Sequence, residues 1–216
     1  MISYHNKFFL LFVSLSSNIA CSGVCNLNIF VFEEEMLTHV KQRPITKNQK
    51  QMLADIQAEL DLCYIPTSFG AVRHHCVKTN THNQKGARQD VVGTVVLWPG
   101  SPRTQSACQK RHPQLMRLFK KFMKDHAPEF KFRTAYINID TMCDAHFDHK
   151  NSGESLLIGF GDYSGGETWL FKMQADGSMK NYPYNISNKS ISFDGSKIMH
   201  SSQKFTGKRY SLVFFQ

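Results

Sequence analysis

The feature that most limits the possible folds of this chain is a series of short β-strand patterns between residues 131 and 216. Turns rich in glycine and asparagine separate them, such as Asn151-Ser152-Gly153 and the segment from Asp162 to Gly166. Many short strands joined by such turns are typical of antiparallel double-sheet folds. The sequence therefore predicts a mostly β domain with flanking helices, in the α+β class, built as a jelly roll.

Two amphipathic patterns predict helices that pack on the outside of one sheet. The first spans Thr46 to Cys63, where Thr46 or Asn48 would cap the N-terminus. The second spans Pro113 to His126, and proline suits a first helical turn. Their apolar stripes are Met52, Ile56, Leu60 and Leu62 in the first helix, and Leu115, Leu118, Phe119, Phe122 and Met123 in the second.

His146-x-Asp148 is a pattern with direct chemical meaning. Side chains at i and i+2 of a strand point to the same face, so His146 and Asp148 would reach one ion while Phe147 points away. His200, from a distant strand, would be the third ligand. Two histidines and one carboxylate leave coordination positions open, which is typical of non-haem Fe(II) oxygenases. Taken alone, the triplet has an alternative interpretation as a chance polar sequence in a surface loop.

Arg209 and Ser211 are also separated by two positions, in a segment that predicts a final buried strand up to Phe215. Arginine binds a carboxylate through two parallel hydrogen bonds, and Ser211 would donate one more. The alternative is that Arg209 forms a surface ion pair. Its position after the predicted metal ligands favours a small dicarboxylate as its partner.

Taken together, His146-x-Asp148, His200 and Arg209-x-Ser211 resemble the signature of the Fe(II)/2-oxoglutarate-dependent oxygenases. The resemblance implies a double-stranded β-helix with its core at residues 131–216. It also implies iron bound by the two histidines and the aspartate, with Arg209 binding the distal carboxylate of 2-oxoglutarate. More loosely, it implies that Tyr136 and Asn138 contact the other end of the co-substrate, at its 1-carboxylate or keto group.

The segment from Leu157 to Leu170 looks like the G-D-[YF]-x-G-G-x-L segment of the TET and J-binding protein branch, the nucleobase oxygenases. This resemblance implies hydroxylation of a methylated pyrimidine base in nucleic acid. A similar G-G-E-T turn occurs in prolyl 4-hydroxylases, so a prolyl or lysyl protein hydroxylase is the alternative enzyme. Those enzymes usually carry lysine where this chain has Arg209, which counts against this alternative. A further variant resembles an algal relative that consumes ascorbate instead of 2-oxoglutarate. Outside enzymes, the alternative is a non-catalytic binding module of the cupin type.

The formal net charge of +9 favours a polyanionic partner such as nucleic acid. Lys85 and Arg88 lie in a polar segment, Thr79 to Asp90, that the sequence predicts to be a substrate-facing loop. Lys120 and Lys121 lie on the basic face of the second helix and are further candidates for nucleic-acid contact. Simple solvation of these charges is the alternative. We expect a monomer without stable membrane association.

Residues 1–35 are interpreted as a leader or extension that precedes a single domain at 36–216. Lys7 followed by a short apolar stretch and Ala20-Cys21-Ser22 has the outline of a secretory signal peptide over residues 1–22, which would direct the chain to the secretory pathway. An upstream extension is the alternative, and it favours the nucleus or cytoplasm. The six cysteines show no zinc-site spacing and predict free buried thiols in a reducing compartment.

Overall fold

The computed structural model describes residues 37, 39–67, 87–148, 151 and 153–216. Within these residues the chain forms helices α1 (Lys47–Leu62), α2 (Ala107–Arg111) and α3 (Pro113–His126). Its strands are β1 (Lys41–Pro44), β2 (Arg88–Val95), β3 (Thr104–Gln105), β4 (Thr134–Ile139), β5 (Ser155–Phe160), β6 (Tyr163–Gly165), β7 (Thr168–Met173), β8 (Met179–Tyr184), β9 (Lys189–Phe193), β10 (Met199–Ser202), β11 (Phe205–Gly207) and β12 (Tyr210–Phe215).

The strands form a large and a small antiparallel sheet. Seven strands make the large sheet, in the order β1-β9-β5-β12-β4-β2-β3, and three make the small one, in the order β10-β7-β8. Strands β11 and β6 form a separate, short two-stranded ribbon. This double-sheet arrangement confirms the predicted mostly β jelly roll with flanking helices.

Local sequence explains where α1 begins and which face it buries. Thr46 and Gln49 form a capping box, in which each side chain accepts a hydrogen bond from the other residue's backbone N–H. Met52, Ile56 and Leu60 are buried, as their four-residue spacing predicts. The prediction for Leu62 is wrong: its side chain is 83 % exposed, because a position two residues after Leu60 lies on a different side of the helix.

Helix α3 has the predicted bounds, with Pro113 at its first turn. Its buried side chains pack on the large sheet, and the ring of Phe119 meets that of Phe214 edge-on with centroids 5.7 Å apart. Leu115, Phe122 and Met123 are buried in the same core. Helices α1 and α3 therefore cover one face of the large sheet, as the sequence predicts.

The other face of the large sheet points into the jelly roll. Successive side chains of β12 alternate between the two faces. Tyr210, Leu212 and Phe214 belong to the core under the helices. Ser211 and Val213, one residue out of phase, line an internal cavity. Since side chains alternate along a strand, one sequence supplies both an apolar core and the wall of a site.

Three predictions from the sequence either need correction or concern residues outside the described part of the chain. The segment Thr79 to Asp90 is not a loop throughout, because Arg88–Asp90 form the start of β2. The leader at residues 1–35 and Lys85 lie outside the described part of the chain. Among the described helices, none has the length and apolar character needed to cross a membrane.

Candidate active site

His146 and His200 are brought together by the backbone. The N–H of each donates to the carbonyl oxygen of the other, with both N···O distances at 3.0 Å. His146 therefore extends the small sheet as the antiparallel neighbour of β10. The backbone N–H of Asp148 donates to the carbonyl of Gly195 at 2.8 Å, which fixes the chain two residues further on.

The side chains of His146, Asp148 and His200 converge on one point. His146 Nε2 lies 3.6 Å from Asp148 Oδ1, and His200 Nε2 lies 3.7 Å from Asp148 Oδ2. One ligand atom from each residue lies within 4.8 Å of the other two. A single ion with metal–ligand bonds of about 2.0–2.2 Å would contact all three. Among the described residues, this is the one cluster of at least three potential ligands that is compact enough to hold a metal.

The Nδ1 atoms of His146 and His200 both lie within hydrogen-bond distance of backbone carbonyl oxygens. His146 Nδ1 lies 2.7 Å from the carbonyl oxygen of Asp144, and His200 Nδ1 lies 2.9 Å from that of Ile198. A carbonyl accepts only, so each Nδ1 carries a proton, and Nε2 is the ring nitrogen left to face a metal. Backbone contacts of this kind orient histidine ligands in metal sites. The donor set and its orientation fit a divalent metal such as Fe(II).

Gly195 lies against two of the candidate metal ligands and was not predicted from the sequence. A Cβ at this position would lie 3.3 Å from both Asp148 Oδ2 and His200 Cε1. Such contacts are tighter than most real ones, so a side chain here would press on two of the three ligands. The glycine in the Asp194-Gly195 turn was visible in the sequence, but its distance from the metal site was not.

Arg209 is buried, with 2 % of its surface exposed, and its guanidinium packs against the rings of Phe205 and Tyr163. Nη1 donates to the carbonyl of Thr141 at 3.1 Å, and Nη2 lies 3.5 Å from that of Gly166. Nε has no hydrogen-bond partner, and no described carboxylate oxygen lies within 4 Å of the guanidinium. Arg209 is therefore a buried cation with donor capacity left over.

Burial lowers the pKa of the Arg209 guanidinium from its ordinary value, while the nearby Tyr163 and Asp140 oppose that shift. Arginine remains charged in proteins, so the positive charge persists inside the fold. A buried charge without a counter-ion is costly unless a ligand supplies one. An anionic group is the ligand that would best complete this position.

Asp140 fixes the backbone on which Arg209 is mounted. Its Oδ1 accepts a hydrogen bond from the Arg209 backbone N–H at 2.8 Å, and its Oδ2 pairs with Lys208 Nζ at 2.8 Å. The backbone N–H of Asp140 donates in turn to the Arg209 carbonyl. Asp140 has a φ of 53°, a left-handed conformation that aspartate adopts more readily than most residues.

One cavity connects the metal cluster with Arg209. Among the residues predicted from sequence, His146, Asp148, His200, Arg209, Ser211 and Asn138 all line it. Tyr136 is not among the described lining residues; its ring stacks on Phe215 with centroids 5.1 Å apart. The sequence analysis missed Gln89 and Thr168, which also line the cavity. Thr168 Oγ1 is buried without a hydrogen-bond partner.

Cys143 lines the same cavity, with Sγ 3.5 Å from His146 Nδ1 and 3.8 Å from its Nε2. These similar distances place the sulfur beside the ring rather than at the end that faces Asp148. Cys143 is half-buried, so it departs from the buried thiols that the sequence predicts. Cys63 and Cys108 are buried free thiols, and burial raises the pKa of Cys63 to about 11 and that of Cys108 to about 12.

The candidate nucleic-acid contacts do not meet at the cavity. Lys120 and Lys121 lie on the exposed face of α3, and α3 covers the face of the large sheet opposite the cavity. Arg88 neighbours Gln89 on β2 and therefore points to the opposite face from it. Lys85 is outside the described residues.

No protein-family model and no curated protein matches the chain. Among solved structures, it is similar to an oxidoreductase of the 2OG-Fe(II) oxygenase family from Burkholderia pseudomallei, at 18 % identity and a TM-score of 0.55 over 89 % of this chain and 92 % of that one. The likeness establishes the fold.

Two further solved structures are similar at lower scores. A Pseudomonas putida prolyl-4-hydroxylase has 13 % identity and a TM-score of 0.48, covering 86 % of this chain and 97 % of that one. The protein OsALKBH1 has 10 % identity and a TM-score of 0.47, covering 82 % of this chain and 97 % of that one.

Proposed function

We propose that this protein is an Fe(II)- and 2-oxoglutarate-dependent oxygenase. The observation that carries the proposal is the convergence of His146, Asp148 and His200 in one cavity with the buried Arg209. The three ligands leave coordination positions for a co-substrate and O2. The guanidinium supplies a buried charge that suits a carboxylate. The B. pseudomallei oxidoreductase, which has the same fold, is a member of the same class of enzyme.

Each residue of the site has a distinct task in this proposal. His146, Asp148 and His200 would hold the iron, and the backbone carbonyls at Nδ1 keep the imidazoles oriented for it. Arg209 would bind the distal carboxylate of 2-oxoglutarate, with Ser211 as an additional donor. The rings of Phe205 and Tyr163 exclude water from the guanidinium, which strengthens the ion pair. Iron bound there, with 2-oxoglutarate and O2, would supply the oxidising power to hydroxylate a C–H bond, with succinate and CO2 as co-products.

We propose a methylated pyrimidine in nucleic acid, such as 5-methylcytosine or thymine, as the substrate. Two observations support it: the resemblance of residues 157–170 to the nucleobase oxygenases and the net charge of +9. An enzyme that acts on a base must take it out of the stack. Since Lys120 and Lys121 lie on the far side of the large sheet, contacts with the target strand would come from other cations, of which Lys85 remains a candidate.

A prolyl or lysyl protein hydroxylase is the second candidate function. The Gly165-Gly166-Glu167-Thr168 turn favours it, and Thr168 lines the cavity. Arg209 stands where those enzymes usually carry lysine, which favours the nucleobase proposal instead. Ascorbate in place of 2-oxoglutarate would leave Arg209 without the dicarboxylate that best suits it.

The decisive experiment loads the protein with Fe(II) and 2-oxoglutarate under argon, admits O2, and follows both succinate and methylated oligonucleotides by mass spectrometry. We expect oxygen to be gained by the oligonucleotide with wild-type protein and not with His200→Ala. Lys120→Ala serves as the matched control on the far side of the sheet and should retain activity.

Each other outcome has a definite meaning. Succinate without a change in the oligonucleotide would support the oxygenase and reject the nucleobase, and hydroxylated proline or lysine in added peptides would then support the second candidate. If the protein binds no iron and forms no succinate with either substrate, a non-catalytic binding module of the cupin type becomes the better explanation.

A further inference from the structure

A row of polar side chains crosses the large sheet beside the metal cluster. Gln89 on β2 lies opposite Asn138 on β4, and Asn138 lies opposite Ser211 on β12. All three line the cavity. The same strands present apolar side chains to the helices on their other face, so the polar row is confined to the side of the site.

Gln89 and Asn138 form an amide pair within this row. Gln89 Nε2 donates a close hydrogen bond to Asn138 Oδ1. Gln89 is buried, with 7 % of its surface exposed, and its backbone N–H donates to the carbonyl of Pro66 at 3.1 Å. The glutamine is therefore held in the sheet at both its backbone and its side chain.

The direction of this hydrogen bond decides which group of the Asn138 amide faces the cavity. Because Oδ1 of Asn138 accepts from Gln89, its Nδ2 group presents N–H donors. Among the described residues, no acceptor is bonded to Asn138 Nδ2. A primary amide that turns over would present a carbonyl oxygen instead and would repel an anion. Gln89 Nε2 opposite Oδ1 favours the orientation in which Nδ2 faces the cavity, and an anionic ligand beside Ser211 and Arg209 would favour the same orientation.

We propose that Gln89 is a positioning residue for the co-substrate: it holds the Asn138 amide so that Nδ2 donates to an oxygen of the 2-oxo acid. This inference rests on the proposed function, because it assumes an anionic ligand beside Ser211 and Arg209. Gln89 itself does not touch the ligand. Its effect passes through the orientation of Asn138, and it adds a neutral donor to the charge supplied by Arg209.

The test measures 2-oxoglutarate binding to the full-length protein by isothermal titration calorimetry, with Mn(II) in place of Fe(II) to prevent turnover. Gln89→Glu replaces the donor by a carboxylate, which accepts from the Asn138 N–H groups and so favours Asn138 Oδ1 toward the cavity. The variant also adds a negative charge to the cavity lining, and the uncharged Gln89→Leu variant below is therefore needed to separate the two contributions. We expect about a ten-fold or greater loss of 2-oxoglutarate affinity, equivalent to roughly 1.4 kcal/mol. Mn(II) affinity should stay unchanged, because the metal ligands are untouched.

Two further variants separate positioning from a structural role. Gln89→Leu removes the partner without forcing the turn, and we expect a smaller loss of about three-fold. Asn138→Asp is isosteric and abolishes the donor, and we expect at least the loss seen with Gln89→Glu. In the Asn138→Asp background, Gln89→Leu should cause little further loss, because two residues that act through one contact are not additive.

The outcomes are distinguishable. If wild-type protein with Mn(II) does not bind 2-oxoglutarate, the proposed function fails and this inference fails with it. If wild-type protein binds and Gln89→Glu binds equally well, only the positioning role is overturned. That role is also overturned if the losses from Gln89→Leu and Asn138→Asp simply add, since Gln89 would then act independently of Asn138. Thermal unfolding of each variant confirms that the folded protein is being titrated.

Discussion

The two faces of the large sheet use the same strands for opposite purposes. On one face, Tyr210, Leu212 and Phe214 pack under α1 and α3 in a continuous apolar core. On the other, Gln89, Asn138 and Ser211 line a cavity whose neighbouring residues include a buried cation and three potential metal ligands. The helical face offers apolar burial, the main favourable term in folding. The cavity face retains polar groups that are costly to bury and that a ligand would satisfy.

The largest expected effect comes from damage to the helical face. Phe214 is fully buried, and its ring meets those of Phe119 and Phe132 edge-on. Phe214→Ala should lower the free energy of unfolding by about 3–5 kcal/mol, because it removes a large side chain and leaves a cavity. Denaturant unfolding measures this loss.

The same variant tests whether the two faces are independent. Below the unfolding transition, Mn(II) affinity of Phe214→Ala should match that of the wild type. Val213, the residue before Phe214, lines the cavity. Val213→Ala is the matched control and should lower the free energy of unfolding by less than Phe214→Ala. A loss of metal affinity in folded Phe214→Ala would show that the faces are coupled.

The next effect concerns Arg209, whose replacement should lower 2-oxoglutarate affinity without lowering the free energy of unfolding. Arg209→Met removes a buried charge that has no described carboxylate partner, so the free energy of unfolding should stay the same or rise. Affinity for 2-oxoglutarate should fall by about a hundred-fold, because a charge-assisted pair is lost. Calorimetry and denaturant unfolding of the same preparation give both values. A destabilisation as large as that of Phe214→Ala would make Arg209 a structural residue.

The smallest effect is a pH dependence on the helical face. His126 is buried between Gln49 and Ser190, with Nε2 2.7 Å from Ser190 Oγ. Burial lowers the pKa of His126 below its ordinary value of 6.5, an effect that Arg43 reinforces and Asp125 and Glu129 oppose. As the pH falls below 6.5, the unfolded chain binds a proton that the folded protein resists. Stability should therefore decrease below about pH 6.5, by at most about 1.4 kcal/mol per pH unit.

His126→Gln supplies the comparison for this pH dependence. The variant lacks the titrating ring, so its unfolding free energy should vary less with pH between about 5 and 6.5. The difference between the wild-type and variant slopes of unfolding free energy against pH gives the contribution of His126 separately from that of other groups. Equal slopes in the two proteins would mean that His126 does not contribute.

The helical face could be predicted from sequence more completely than the cavity face. Helix α3 matches its predicted bounds because proline and a four-residue apolar period act locally. The prediction that Leu62 is buried was wrong because the four-residue apolar period of α1 ends at Leu60. Gln89 was missed because a polar residue that faces a cavity looks, in sequence, like part of a polar loop. Tyr136 and Asn138 share a strand face, but sequence does not say how far along that strand the cavity extends.

The convergence of His146, Asp148 and His200 could be predicted from sequence, because residue types and strand alternation together indicate it. The surroundings of these three residues could not, since the approach of Gly195 and the burial of Arg209 depend on distant segments. The roles of these residues stay predictions until metal and co-substrate binding are measured.

Because His146 pairs with His200 through the backbone, the two side chains converge only when β10 has the correct strand register. A slip of β10 by a single residue would turn the His200 side chain to the opposite face and separate the ligands. The two histidines lie far apart along the chain, so their pairing requires long-range loop closure, which is slow in β-rich topologies. Under the proposed function, metal binding during refolding would therefore report when β10 pairs with the segment around His146.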